Sequence, residues 1–284
     1  MSGPYIVEMH NITKTFPGVV ALDSVDFRLK AGQVMALLGE NGAGKSTLVK
    51  ILSGVYSRDS GSIRIFGKDI EGNLTPREAQ QMGVAIIHQE LNMCSHLTVA
   101  QNIFLGRELR KGSLLDNRTM ERKTQTILDS LGIDLDPNTL VGDLAVSKQQ
   151  MVEIAKALEA NAKILIMDEP TSALTSVEIT QLFSLIRGLK QQGVGIIYIS
   201  HRLDELQYIV DAVTIMRDGR FIVEQQFSDI TMSQIIGHMV GHEIKEKYPR
   251  VQVEKGKAVL TVTGLSAAPN VHDVSLTVHE GEIL

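Results

Sequence analysis

The chain has 284 residues, of which 43% are hydrophobic and 21% charged, and its formal net charge is −5 at pH 7. This balance is typical of a globular protein with a substantial core, and it argues against a broad basic surface for nucleic acid. A single cysteine, Cys94, excludes an internal disulfide framework and fits a reducing compartment.

The N-terminal segment "MSGPYIVEMH" lacks the basic and apolar regions of a signal peptide. The longest apolar runs, such as "GVGIIYIS", are too short to cross a bilayer. If the protein works at a membrane, we therefore expect another chain to span it.

Taken in chain order, the hydrophobic pattern of the first third of the sequence predicts β-strands. Apolar and polar residues alternate in "YIVEMHNI", "SVDFRLK" and "GSIRIFG", whereas "GQVMALLG" is apolar throughout, as expected of a fully buried strand. That strand runs into a glycine-rich loop. The next segment, "STLVKILSG", has Leu48, Ile51 and Leu52 at helical spacing before Gly54, a helix cap.

The segment 98–160 predicts helices, the first of which begins with a capping box formed by Thr98 and Gln101. Strands return in "AKILIMDEP" and "GVGIIYISH", on either side of a helix with a capping box at Thr175 and Glu178. Alternating apolar strands and helices indicate a parallel α/β sheet. Near its end, Asp218-Gly219 predicts a β-hairpin.

An internal repeat bears on the domain boundaries. Segment 273–284 repeats the pattern of 24–37, with Gly281 matching Gly32 in register. We expect one domain over 1–245 with a helical subdomain at about 90–160, a linker at 246–257, and the start of a second, related domain at 258–284. The chain then reads as the first half of a tandem protein.

The stretch "LGENGAGKST" fits the spacing G-x-x-x-x-G-K-[ST] between a strand and a helix, the order of a phosphate-binding loop. Glycines let successive N–H groups wrap phosphates, Lys45 reaches the β- and γ-phosphates, and the Ser46 hydroxyl ligates Mg²⁺. An ordinary glycine turn is the competing interpretation, which the placed lysine and serine disfavour. The residues assigned to the phosphates are Gly39, Glu40, Asn41, Gly42, Ala43, Gly44, Lys45, Ser46 and Thr47.

Other polar residues stand where apolar strands end. Asp168 and Glu169 follow "ILIM", and we expect Asp168 to hold the Mg²⁺ shell and Glu169 to polarise the attacking water. Adjacent acids at a strand end are also commonly helix caps. Gln89 and His201 follow two further strands, and alone each would be read as an ordinary polar residue.

Together these motifs resemble the ATP-binding subunits of ABC transporters over residues 4–245. The segments "ALLGENGAGKSTLVKILSG", "HQELNM", "LTVAQNIFLG", "QQMVEIAKAL", "MDEPTSALT" and "YISHRLDEL" are most similar to the tandem ATPases of ribose- and galactoside-type monosaccharide importers. The resemblance implies an α/β P-loop NTPase with a mixed, largely parallel core sheet, an antiparallel β subdomain and an α-helical subdomain.

The resemblance also implies roles and partners. Phe16 would stack on adenine, Gln89 would join the Mg²⁺ ligands and sense the γ-phosphate, and His201 would contact the γ-phosphate. Residues 173–175 would cross to the opposing half. ATP and Mg²⁺ are the implied cofactors. The implied partners are transmembrane permease subunits, a second ABC half of the same chain and, indirectly, a periplasmic sugar-binding protein, at the cytoplasmic face of the inner membrane.

One departure concerns the family's signature, Leu-Ser-Gly-Gly-Gln. The aligned residues here are Leu144, Ala145, Val146, Ser147 and Lys148. They lack the serine hydroxyl and both glycines, so close backbone approach to a phosphate is hindered. Because a signature serves the site of the opposing half, this one would face the second half's phosphate loop rather than Lys45. The 284 residues alone are then expected to hydrolyse ATP weakly.

Three hypotheses remain at this point. The first is an ATP-hydrolysing subunit that powers monosaccharide import. The second is a non-transport ABC ATPase that acts as a nucleotide-dependent clamp or switch, although the short segment between Gln89 and Leu144 leaves no room for a long coiled coil. The third is a small-molecule kinase with the same phosphate loop, which explains neither the repeat nor the residues after the acid pair.

Overall fold

The structure, a computed structural model, describes residues 5–87, 93–241 and 256–282. The chain divides into two units, Met1–Glu243 and Ile244–Leu284. Gln89 and most of the predicted linker lie outside the described residues, and the domain limits stay a prediction. Within the described ranges no helix is both long enough and apolar enough to cross a bilayer.

The elements alternate between strands and helices along most of the first unit. The strands are β1 Tyr5–Phe16, β2 Val19–Lys30, β3 Val34–Leu38, β4 Ser60–Ile65, β5 Lys68–Asp69, β6 Val84–Ile87, β7 Arg110–Lys111, β8 Leu114–Leu115, β9 Ile164–Asp168, β10 Gly195–Ile199, β11 Ala212–Arg217, β12 Arg220–Gln226, β13 Ala258–Ala267 and β14 Val271–His279. The helices are α1 Lys45–Leu52, α2 Pro76–Gln81, α3 Val99–Ile103, α4 Asn117–Ser130, α5 Val146–Glu159, α6 Ser176–Gln191 and α7 Met232–Val240. Short 3₁₀ helices cover Val141–Asp143, Leu203–Tyr208 and Phe227–Asp229.

A six-stranded sheet in the order β12-β11-β3-β10-β9-β6 forms the centre of the first unit. All its strands are parallel except β12, which pairs antiparallel with β11, and this confirms the predicted α/β fold with a mixed core sheet. Strand β3 is apolar throughout because both of its faces are covered. Val34 and Ala36 pack with α5 and α6, whereas Met35 and Leu37 pack with α1 and the antiparallel sheet.

The predicted antiparallel β subdomain is the sheet β2-β1-β4-β5. Its alternating pattern is confirmed, since Met9 of β1 and Phe27 and Leu29 of β2 are buried between polar neighbours. This buried face packs against α1, the helix that follows the phosphate loop.

The predicted helical region contains α3, α4 and α5, and the capping box of Thr98 and Gln101 is confirmed. It differs from the prediction at 110–115, where β7 and β8 pair as a small hairpin. Gly112 has a φ of 65° and starts the two-residue Gly-Ser turn between them.

Short sequence patterns elsewhere also match the structure. The capping box of Thr175 and Glu178 is confirmed, and Asp218 and Gly219 both have positive φ in the β11–β12 hairpin, as a type I′ turn requires. Two further capping boxes begin α2 and α7, and both carry the Thr-x-x-Glu or Thr-x-x-Gln pattern by which they can be found from sequence.

The second unit contains the antiparallel hairpin β13–β14, and its pairing has the same pattern as that of β1 and β2. The matching pairs are Val7–Leu29, Met9–Phe27 and Ile12–Val25 in the first hairpin and Leu260–Val278, Val262–Leu276 and Leu265–Val274 in the second. Both hairpins have a bulge between the second and third of these pairs. In the first the apolar face is buried, whereas Leu260 and Leu265 are each 52% exposed in the second.

The end of α1 is closed by Gly54, which confirms the predicted cap. Gly54 N–H donates to Ile51 O and Val55 N–H to Lys50 O, the two hydrogen bonds of a Schellman motif. Gly54 has a φ of 76°, and a Cβ there would lie 2.4 Å from the carbonyl carbon of Thr75. The backbone of the segment before α2 thus packs directly on this cap.

Gly54→Ala is expected to destabilise the fold more than Gly67→Ala, although both glycines have a φ of 76°. A Cβ added at Gly67 would have no atom of the described residues within 4 Å, so its substitution costs only the left-handed strain, about 1 kcal/mol. Gly54→Ala adds an overpacking cost of at least about 1 kcal/mol. Urea unfolding followed by circular dichroism measures both, and equal losses would contradict the packing role of Gly54.

Candidate nucleotide-binding site

The carboxyl ends of three neighbouring strands meet at one cleft. Strand β10 lies between β3 and β9, so the loops that follow these strands open side by side. The cleft has a volume of about 390 Å³. Its lining residues are Val19, Val20, Ala21, Asn41, Gly42, Ala43, Gly44, Lys45, Ser46, Thr47, Asp168, Glu169, Ile199 and His201.

The glycine-rich loop is packed so tightly that its backbone must approach its neighbours without side chains. Gly44 has a φ of 95°, and a Cβ there would lie 2.6 Å from Ala21 O. A Cβ on Gly39 would lie 2.3 Å from Met216 O. Helix α1 starts directly after this loop, and no side chain of the described residues caps it. Its first N–H groups and its dipole therefore face the cleft as an anion site would require.

Lys45 is 7% exposed and lies at the base of the loop. Its Nζ donates hydrogen bonds to Gly39 O at 2.7 Å and to Glu40 O at 2.9 Å. Burial lowers the pKa of Lys45, and the negative charges of Asp168 and Glu169 partly offset that shift. The Lys45 amine thus lies beside the loop carbonyls and near the acid pair, in the cleft where phosphate oxygens would meet it.

Glu169 and His201 are brought into contact from two different strands. His201 Nε2 lies 2.7 Å from Glu169 Oε1, and Glu169 N–H donates to Ile199 O at 2.9 Å. Glu169 has a φ of 50°, an uncommon backbone conformation for a residue with a side chain. Both Glu169 and His201 line the cleft.

Phe16 lies outside the described set of side chains that line the cleft. Its ring meets that of Tyr56 edge-on, with centroids 5.4 Å apart, and Lys14 Nζ is 5.3 Å from the Phe16 centroid. The adenine role of Phe16 stays a prediction, as does the role of Gln89, which the structure does not describe.

Asp59 fixes the strand end that carries Phe16, a role that no sequence pattern predicted. Its carboxylate accepts hydrogen bonds from Lys14 Nζ at 2.8 Å and from the N–H and hydroxyl of Thr15, both at 2.7 Å. These partners are more than 40 positions away along the chain, so no short pattern marks the pairing.

The divergent signature residues lie away from the described lining of the cleft. Ala145 precedes α5 without capping it, and Val146 is 48% exposed. The Ser147 hydroxyl hydrogen bonds to Glu178, the largest cause of the lowered pKa of that glutamate. Lys148 Nζ donates to Asp134 O at 3.0 Å. Ser147 is therefore engaged by α6, and Lys148 by the segment that follows α4.

A parallel sheet with a phosphate-type loop, a buried lysine and an acid pair at the same strand ends defines the class of P-loop nucleotide-binding proteins. The sequence model of the ABC transporter family matches residues 22–172. The chain belongs to this family.

Within this family, the chain is similar to ATP-binding proteins of sugar import. Galactose/methyl galactoside import ATP-binding protein MglA of Escherichia coli is 46% identical over 285 residues, covering 100% of this chain and 56% of that protein. A putative ribose/galactose/methyl galactoside import ATP-binding protein of Agrobacterium fabrum is 50% identical over 281 residues, covering 99% and 55%. The chain therefore spans about half the length of these relatives.

Solved structures agree with the fold. A nucleotide-free ATP-binding cassette from an ABC transporter superposes with a TM-score of 0.70 at 27% identity, covering 84% of this chain and 96% of that one. The ADP conformation of another such cassette superposes with a TM-score of 0.72 at 27% identity, covering 84% and 100%.

Asp59→Asn is expected to lower the thermal unfolding midpoint at neutral pH. Its hydrogen bonds with Lys14 and Thr15 hold the pKa of Asp59 at about 2, below the ordinary 3.8. A depressed carboxyl pKa stabilises the fold above about pH 4, and this contribution is lost as pH falls through about 2. The difference between variant and wild type should therefore shrink on acidification across that window.

Asp218→Asn is the control for losing one negative charge, because its side chain is 90% exposed. Differential scanning calorimetry of all three proteins over this pH range makes the comparison. A variant–wild-type difference that stays constant from neutral pH down to about 2 would contradict the assigned role of Asp59.

Proposed function

We propose that this chain binds ATP with Mg²⁺ and forms the hydrolysing half of an ATPase that powers import of a monosaccharide through a separate membrane permease. The observation that carries the proposal is the shared cleft of the phosphate loop, Asp168 and the Glu169–His201 pair. The transport part of the proposal is inferred from the names of the relatives, and the ATP chemistry is inferred from the residues of the site.

The loop N–H groups and Lys45 would hold the β- and γ-phosphates. The residues also fit Mg²⁺, because the Ser46 hydroxyl and the Asp168 carboxylate line the same cleft and are hard oxygen donors of the kind that this ion takes. Gln89 is proposed as a further ligand. An ion held there would supply positive charge that offsets the negative charge of the phosphates.

Glu169 is proposed as the general base. It would accept a proton from the water that attacks the γ-phosphorus, while the bond from that phosphorus to the β-phosphate oxygen breaks, giving ADP and phosphate. His201, 2.7 Å from Glu169 Oε1, would keep the carboxylate oriented and reach the γ-phosphate. Phe16 would stack on the adenine ring.

The signature residues Leu144, Ala145, Val146, Ser147 and Lys148 are proposed to face the phosphate loop of a second, related half. The β13–β14 hairpin supports this second half, because its pairing repeats that of β1–β2 while its apolar residues stay exposed. We place the first domain at 1–245, the linker at 246–257 and the start of the second domain at 258–284, with residues 173–175 crossing between halves.

The remaining partners follow from the import proposal. Permease subunits would span the bilayer, a periplasmic sugar-binding protein would act through them, and this chain would lie at the cytoplasmic face of the inner membrane. A nucleotide-dependent clamp without transport is the alternative. The family match and the paired hairpins give no support to a small-molecule kinase.

Glu169→Gln in the full-length tandem protein is expected to keep ATP binding while lowering kcat by about 100-fold or more, the scale of losing a general base. Steady-state phosphate release and equilibrium binding of a labelled nucleotide measure the two properties. Glu71→Gln, an exposed glutamate outside the cleft, is the matched control and should retain wild-type values. Wild-type turnover in Glu169→Gln would remove this residue from the role of base.

Import predicts a permanent membrane partner, which a clamp does not need. Affinity purification of the full-length protein from detergent-solubilised membranes should recover a polytopic membrane protein in a stable complex. A deletion strain should lose growth on one monosaccharide, and Glu169→Gln should not restore it although wild type does. Recovery without any membrane protein, together with unchanged growth on every sugar, would favour the clamp.

A further inference from the structure

Glu205 is a buried carboxylate that the proposed chemistry does not use. It lies in the 3₁₀ helix Leu203–Tyr208, four positions after His201, and is only 3% exposed. Burying a carboxylate is costly unless it is paired and hydrogen-bonded, so its surroundings must compensate for the lost hydration. It is absent from the described lining of the nucleotide cleft.

Three side chains from three segments surround this carboxylate. Thr171 Oγ1 donates to Glu205 Oε2 at 2.7 Å, and the Tyr198 hydroxyl donates to the same oxygen at 3.1 Å. Arg202 Nη1 lies 2.9 Å from Glu205 Oε1. Thr171 is 1% exposed and Tyr198 is fully buried. Burial, and then the charge of Glu205, raises the pKa of the Tyr198 phenol, which keeps it a neutral donor.

The positions of these partners link Glu205 to the Glu169–His201 pair. Thr171 is two residues after Glu169, and Arg202 is the residue after His201. One carboxylate therefore joins the loop that follows β9 to the loop that follows β10. These are the two loops whose tips meet in the 2.7 Å contact between Glu169 and His201.

The loop after β9 is also anchored from the helical subdomain. Gln150 of α5, itself 6% exposed, donates from Nε2 to Pro170 O at 2.6 Å. Ser172 N–H donates to Glu169 O at 3.2 Å, closing the turn. The segment 169–172 is thus held by Gln150 on one side and by Glu205 on the other, which leaves its position dependent on both.

We propose that Glu205 is a positioning residue for ATP hydrolysis, which sets the spacing between Glu169 and His201 by holding Thr171 and Arg202. The proposal rests on the proposed ATPase function and assigns Glu205 no contact with nucleotide. Because the phosphate loop has separate supports, in Lys45 and in the packing of Gly44 on Ala21, the residue should govern turnover rather than nucleotide affinity.

Glu205→Gln keeps the shape and one acceptor oxygen but removes the charge paired with Arg202. In the full-length protein we expect kcat to fall between about 10-fold and about 100-fold, the scale of misplacing a reacting group by about 1 Å. The KM for ATP should stay within about twofold. Glu159→Gln breaks a comparable ion pair with Arg107, at 2.8 Å, and as the matched control should leave kcat unchanged.

A double variant distinguishes positioning from loss of folding. Adding Glu205→Gln to Glu169→Gln should lower the residual rate no further, since the base that Glu205 positions is already gone. A merely structural role would instead reduce the active fraction by the same factor in both backgrounds. An equal loss of rate in both backgrounds would overturn the proposal. So would an unchanged kcat in the single variant, or a KM that rises by as large a factor as kcat falls.

Thr171 provides a second route if Glu205→Gln does not fold. Thr171→Val removes the hydroxyl at nearly constant shape and should lower kcat, whereas Thr171→Ser keeps the hydroxyl and should retain most of the wild-type value. Equal kcat in the two variants would also overturn the proposal. If wild type itself releases no phosphate, or Glu169→Gln turns over normally, the ATPase function fails instead.

Discussion

The placement of β10 between β3 and β9 is the constraint on which the site depends. Parallel pairing in this order puts the loops after the three strands side by side, so the phosphate loop, the acid pair and His201 open into one cleft. Apolar layers on both faces hold these strands, with α5 and α6 on one side and α1 and the antiparallel sheet on the other.

Contacts behind the cleft hold the groups that face it. Lys45 is fixed by carbonyls of its own loop, and the two loops of the Glu169–His201 contact are joined through Glu205. Such support lowers the reorganisation needed when charge develops at a phosphate, which is how a preorganised site stabilises a transition state.

The signature region of this chain departs from the pattern of its family. Val146 places a side chain at the N-terminus of α5. The side chains of Ser147 and Lys148 are engaged by Glu178 of α6 and by the carbonyl of Asp134. These residues do not reproduce the serine and the two glycines of the family's signature. In the tandem arrangement proposed above, the site that this signature serves would mainly bind nucleotide, and the other site would be the catalytic one.

The sequence by itself determined the local features, because these depend on residues a few positions apart. The capping boxes at Thr98 and Thr175, the Gly54 cap and the Asp218-Gly219 turn were all predictable from spacing alone. Only the tertiary structure decided which distant groups meet. Asp59 with Thr15, and Glu205 with Thr171, are 44 and 34 positions apart, and their pairing follows from strand order, which no short window of sequence contains.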